Sequence, residues 1–354
     1  MKQFTFISDL TNPKSIEPIT GAVSNINKTL LSGIGYSAST LERIDVALTS
    51  GSTQSFILKY TKLNSDWLTQ RTRDTIGREA AILDEESLSK IWESIHCPYI
   101  AYAMEKGQIA MLMNDLSAYL LPDLKEPIDL ITEATILNTL ASLHAGFWGS
   151  IEIKKLAWLG IPKQYLEALG PGEHLTDAFV PPPEKTFESM NKGWEIVFEL
   201  LPEEIKPIFL HPVEKILERW KDLPTTFLHG DTKLSNMALM PDGRIAAFDW
   251  AFAGKGPCSI DLGWYLAINS TRLARSKEDV ISLYRTFLES HLHYSIEEKT
   301  WIKIVDLAVF TGAKMLLWNK ALGYQAGTER GKSEWEWWIQ KLKTVVAHSN
   351  QLVK

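Results

Sequence analysis

Cysteine is nearly absent. Cys97 and Cys258 are the two in 354 residues, too few for a disulfide framework or a four-thiolate zinc site, and suited to a reducing compartment. Long apolar runs are missing as well: no stretch approaches the roughly 18 uncharged apolar residues that a membrane-spanning helix needs. The first residues, MKQFTFISDLTNPKS, turn polar at once and carry Asp9 and Pro13, so no secretory signal is expected there. Nor is there an excess of positive charge. With 37 Lys and Arg against 43 Asp and Glu, the net charge is −6, which argues against a general nucleic-acid binder, since phosphates call for a basic face. The expectation is a cytoplasmic protein with neither a nucleic-acid nor a membrane partner.

What is present is globular. A hydrophobic share of 45% with 23% charged residues excludes a disordered or fibrous chain, and the length suits two structural units. Residues 1 to 28 have weak periodicity and read as an extension or a short helix before the fold proper. Two extended runs follow, Leu41 to Leu48 and Ser55 to Tyr60, joined by the turn cluster Thr49-Ser50-Gly51-Ser52-Thr53. A second glycine-containing turn, Ser32 to Ser37, precedes them, and 99–104 and 108–113 read as further strands. Between the two pairs, Arg73 to Glu86 reads as a helix. Beyond residue 113 helical patterns dominate, at 129–148, 186–201, 211–221, 276–293 and 297–322, interrupted by a Pro- and Gly-rich loop near 170–185. The fold class expected is α+β: a small antiparallel-sheet lobe over residues 1–113 and a larger, mainly helical lobe over 114–354.

One segment carries chemistry. Phe227-Leu228-His229-Gly230-Asp231 continues through Lys233 to Asn236, and Ile245 to Trp250 holds Asp249. The turn Met240 to Arg244 between them folds the two runs back on each other, so Asp231, Asn236 and Asp249 are expected to converge. A carboxylate with an amide oxygen is a hard donor set that suits Mg²⁺ on substrate phosphates. The other carboxylate is then free to take a proton from a hydroxyl nucleophile. An acid in a turn is by itself only a turn former; the joint spacing is what points to function.

The order His-Gly-Asp, four residues, Asn, then Phe-Asp-Trp resembles the aminoglycoside phosphotransferase and choline kinase family, which has Gly where protein kinases have Arg. Asp261-Leu262-Gly263 downstream is similar to that family too. The resemblance implies a protein kinase-like bilobal fold and ATP-dependent, Mg²⁺-dependent transfer of phosphate to a small-molecule alcohol. It implies Asp231 as base, with Lys233 near the transferring phosphoryl group or else a solvated lysine. Asn236 and Asp249 become metal ligands, and Lys59, held by Glu79 twenty residues on, the nucleotide-phosphate contact. Gly33 and Gly35 would sit in a phosphate-covering loop, and Met113 and Asn114 in an interlobe hinge meeting adenine. His229 and Asp261 read as scaffold, His144 as a core histidine, and Trp318, Trp335, Trp337 and Trp338 as core and C-terminal packing rather than an aromatic cage. The alternatives are a catalytically inactive nucleotide-binding module of the same fold, a protein kinase, which Gly230 and the lack of an A-P-E segment oppose, and an interaction protein that binds no nucleotide.

Overall fold

A computed structural model describes residues 1–31, 39–121, 126–172 and 182–351, with side chains to 348. The N-terminal lobe is built on six strands: β1 (Lys2–Phe4), β2 (Val23–Leu31), β3 (Thr40–Leu48), β4 (Thr53–Lys62), β5 (Tyr99–Glu105) and β6 (Gln108–Asn114). They lie in the order β1-β5-β6-β4-β3-β2. All pairs are antiparallel except β1 with β5, which makes the sheet mixed rather than purely antiparallel. Lys106 and Gly107 both take positive φ, as the two central residues of a tight β5–β6 hairpin require.

The first 28 residues belong to the fold, and the short helix expected among them is present as Pro13–Thr20. β1 closes one sheet edge, β2 the other, and Leu10 and Ile16 are buried under the sheet. β2 lacks a readable pattern because, as an edge strand, it exposes both faces over most of its length.

Two-residue alternation in β4 decides where Lys59 goes. Phe56 and Leu58 face the layer holding Leu10, Ile16, Ile44 and Leu112, whereas Ile57 and Lys59 face the opposite layer. That second layer joins the lobes, packing Ala80, Ile82, Tyr99 and Met111 with Phe147, Phe227 and Trp250. The expected helix from Arg73 begins only at Arg78, running Arg78–Asp84. Gly77 is left-handed, and the Asp74 carboxylate accepts from the backbone N–H groups of Ile76, Gly77 and Arg78, so the preceding turn is a loop that caps the helix. Buried Arg78 donates from Nε to the Trp158 carbonyl, tying this helix to the other lobe.

The C-terminal lobe holds the helices Leu130–Gly146, Glu184–Leu200, Ser259–Ile268, Lys277–Leu292, Glu298–Gln325 and Glu329–Gln351, with short ones between. Asp129 caps the first, accepting from the N–H groups of Ile131 and Thr132. The pattern at 211–221 is broken into Val213–Leu217 and a 3₁₀ turn Glu218–Trp220. The last helix was not anticipated as one; its Trp335 and Trp338 are buried, while Lys277 lies 4.8 Å from the Trp337 ring centroid. Among the described residues no helix is long and apolar enough to cross a membrane.

The helices Ser259–Ile268 and Glu298–Gln325 cross at glycine. A Cβ on Gly263 would lie 2.2 Å from the Ala308 carbonyl oxygen and 2.7 Å from Thr311 Oγ1. Gly263→Ala should therefore force the helices apart and cost about 1–3 kcal/mol, read as a lower urea midpoint. Gly146→Ala, where nothing lies within 4 Å, is the control and should not destabilise.

Candidate active site

The catalytic-loop segment runs from β7 (Thr226–Leu228) through a 3₁₀ turn (Leu234–Asn236) into β8 (Met237–Leu239), which pairs antiparallel with β9 (Ile245–Ala247). The hairpin expected between Asp231 and Asp249 is thus present. β10 (Gly254–Gly256) pairs back on β7. Gly230 has φ +82°, and a Cβ there would lie 2.1 Å from the Phe252 carbonyl oxygen, which is why a side chain is not tolerated in the middle of His-Gly-Asp.

Asp261, fully buried, anchors this loop. Its Oδ2 accepts from His229 N–H and its Oδ1 from Gly230 N–H, both at 2.8 Å. His144 Nε2 lies 3.1 Å from Oδ2, and His144 Nδ1 2.6 Å from the Tyr284 hydroxyl, so His144 is a partnered core histidine. Asn269 ties the loop a second time, accepting from Leu234 N–H and donating to the Thr232 carbonyl. Burial lowers the His229 pKa against the pull of Asp261, Asp231 and Asp249. Its Nδ1 accepts from Asp231 N–H, and the ring lies 4.1 Å from the Trp250 ring.

Both oxygens of Asp231 are engaged. Asn236 Nδ2 donates to Oδ2 at 2.8 Å, and the Trp264 indole N–H donates to Oδ1 at 2.6 Å. Asn236 Nδ2 also donates to the Asp231 carbonyl, so its amide oxygen points away from Asp231.

Lys59 gathers the other acids. Its Nζ is 2.7 Å from Glu79 Oε2 and 2.6 Å from Asp249 Oδ1. Tyr99 braces the group, donating its hydroxyl to Glu79 Oε1 and accepting from Asp249 N–H. Asp249 itself is left-handed at φ +63°, uncommon for a residue with a side chain and characteristic of functional turns.

Electrostatics push the two loop acids apart. Burial raises the Asp231 pKa and the charge of Asp249 raises it further, against the Trp264 hydrogen bond and the charges of His229 and Lys233. Burial also acts to raise Asp249, but the Lys59 ammonium, by charge and hydrogen bond, overrides it and holds the carboxyl below its ordinary range. Lys59 is displaced upward in turn, since Asp249 and Glu79 outweigh the burial that would lower it. Half-buried Lys233 is close enough to affect both acids.

The structure thus brings Lys59, Glu79 and Asp249 into one cluster and Asp231 and Asn236 into another facing it. At the expected hinge two facts of geometry stand out. Asn114 N–H donates to the Pro98 carbonyl, and the Met113 side chain is buried between the lobes. Gly33, Gly35 and most of the 170–185 loop lie outside the described residues. Sequence reasoning missed Tyr99, Trp264 and Asn269. For Trp264 a signal existed, since it stands three residues after Asp261 and therefore shares its helix face. A cavity of about 460 Å³, lined by Ile7, Lys62, Asn64 and Gly107 among others, takes in none of these residues.

No curated protein matches the chain. Among solved structures it is similar to a choline kinase of Streptococcus pneumoniae, at 14% identity over 94% of this chain and 97% of that one, with a TM-score of 0.45. An ethanolamine kinase of Plasmodium vivax gives 14% identity, 94% and 86% coverage and 0.48. A spectinomycin phosphotransferase gives 10%, 95% of each chain and 0.48. Residues 170–292, which hold His229, Asp231, Asn236, Asp249 and Asp261, match the model of the phosphotransferase enzyme family, the kind of family that the His-Gly-Asp segment resembles.

Proposed function

We propose that the protein is an ATP- and Mg²⁺-dependent phosphotransferase that moves the γ-phosphoryl group to a hydroxyl of a small molecule, an aminoglycoside-, choline- or sugar-like alcohol. One arrangement carries the reading: Asp249 is ion-paired to Lys59, while Asp231 is held by the neutral donors Asn236 and Trp264, and the two carboxyls are displaced in opposite directions to match. Such a pair divides its labour, one group accepting a proton and the other remaining an anion.

In this scheme Asp231 orients the acceptor hydroxyl and takes its proton. Lys59, fixed by Glu79, meets the nucleotide phosphates, and Lys233 adds positive charge beside both acids. The donor set fits Mg²⁺, because Asp249 is held ionised and the Asn236 oxygen is turned away from Asp231. Among the described residues no three His, Cys, Asp or Glu side chains converge on a metal-sized site, but Mg²⁺ takes only one or two protein oxygens and fills the rest with phosphate and water. When bound, the ion would neutralise charge on the phosphate oxygens.

ATP with Mg²⁺ should raise the melting temperature, because a ligand at a hundred times its Kd adds about 2.7 kcal/mol to the folded state. Asp249→Asn should remove the Mg²⁺-dependent part of that rise. An unchanged melting curve for wild-type protein at millimolar nucleotide would sink the proposal. Binding with no transfer across a panel of alcohols would favour the inactive module instead.

A further inference from the structure

We infer that Trp264 is a positioning residue for the phosphotransfer reaction, its indole N–H fixing the Asp231 carboxylate that receives the acceptor hydroxyl. The inference rests on the function proposed above and adds a residue to it. A carboxylate at the end of two rotatable bonds has a broad terminal torsion, so its plane is set by what bonds it rather than by rotamer preference. Here each oxygen has a donor from a different element. Asn236, from the loop itself, holds Oδ2 at 2.8 Å, and Trp264, from the helix Ser259–Ile268, holds Oδ1 at 2.6 Å. Two donors on two oxygens define the plane and leave one acceptor direction on each oxygen for an incoming hydroxyl.

Trp264 is itself well placed to be rigid. Its helix carries Asp261 one turn earlier, and Asp261 is bonded to the backbone of the residues just before Asp231. Asn269 at the far end of the same helix is bonded on both sides of Lys233. The helix therefore grips the backbone of the loop at two points and its reactive side chain at a third. The Trp264 ring packs partly against the core of the C-terminal lobe, so the donor comes with a fixed direction. An indole offers a donor and no acceptor, and so cannot take the hydroxyl proton in place of Asp231.

The test uses Trp264→Phe, which keeps an aromatic ring and deletes the N–H. Two readouts separate positioning from mere packing. First, in ¹⁵N-tryptophan-labelled protein the Trp264 indole resonance, assigned by its absence in Trp264→Phe, should shift when Asp231 becomes Asn; this measurement needs no catalytic activity. Second, with ATP·Mg²⁺ and water as acceptor, Trp264→Phe should lower kcat by about tenfold to a hundredfold, the worth of a hydrogen bond to a charged group. The KM for ATP should stay within about twofold, because the nucleotide contacts lie on Lys59, Asn236 and Asp249. The same change in an Asp231→Asn background should add little, since the two would act as one unit. An indole resonance indifferent to Asp231, an unchanged kcat, or an equal loss in the Asp231→Asn background would each overturn the inference. If wild-type protein neither binds nor hydrolyses ATP·Mg²⁺ while the indole resonance still moves, the hydrogen bond stands and the function proposed above has failed, taking the positioning role with it.

Discussion

Asp231→Asn should leave ATP·Mg²⁺ affinity close to that of the wild type and lower turnover by about 10² to 10⁴-fold, the usual cost of removing a general base. The amide keeps the size of the carboxylate but cannot accept the hydroxyl proton. It also meets a geometric conflict. Both oxygens of Asp231 receive donors, Asn236 Nδ2 and Trp264 Nε1, and an amide has a single oxygen. Its NH₂ must therefore face one of those donors, or the side chain must turn, so hydroxyl positioning is lost along with basicity. Calorimetric titration of nucleotide into both proteins, beside turnover with any accepting alcohol, makes the check. A variant that turns over like wild type would remove Asp231 as base. A variant that no longer binds nucleotide would make Asp231 a ligand or a fold determinant.

How much of this was legible depends on the range of the interaction. The loop from His229 to Asp249 is readable because its chemistry sits within about 20 residues, where turn and strand signals fix the geometry. β3 to β6 are readable because each has an apolar run bounded by a turn. β2 is not, since its edge position leaves polar residues on both faces, and β1 has three residues with no pattern to show. The late start of the helix at Arg78 turns on Asp74 bonding three backbone N–H groups, a choice that helix propensity cannot see. Tyr99 is the clearest loss. It lies 20 residues from Glu79 and 150 from Asp249, looks like an ordinary strand aromatic, and shows its role only when the lobes close over it.

Lys59→Met should be the most destabilising single change in the site, at about 3 kcal/mol, and should cost far more than Glu79→Gln. Lys59 is buried and serves two carboxylates at once. Removing it leaves Glu79, 7% exposed at the side chain, beside Asp249 with no cation between them, and breaking a buried pair from one side typically costs about 3–5 kcal/mol. The lower end applies because the Asp249 side chain is 38% exposed, so water screens part of its charge. Glu79→Gln, in contrast, leaves Lys59 on Asp249 and keeps an oxygen for the Tyr99 hydroxyl. The double variant should lose little more than Lys59→Met alone, because the buried anion left by the first change is neutralised by the second. Urea melts give the stabilities, and additive losses would mean that the two do not act as a pair. The pH dependence has a definite sign. Asp249 is depressed below its ordinary 3.8, so its contribution is present above that value and lost as pH falls through the folded pKa. Lys59 is raised above its ordinary 10.5, so its contribution is present below that value and lost as pH rises further. The stability gap between wild type and Lys59→Met should therefore narrow at high pH as Lys59 loses its proton, and narrow on the acid side as the unpaired Glu79 and Asp249 carboxyls of the variant take up protons. A gap that widens as pH falls would mean that Lys59 does not pair with these carboxylates.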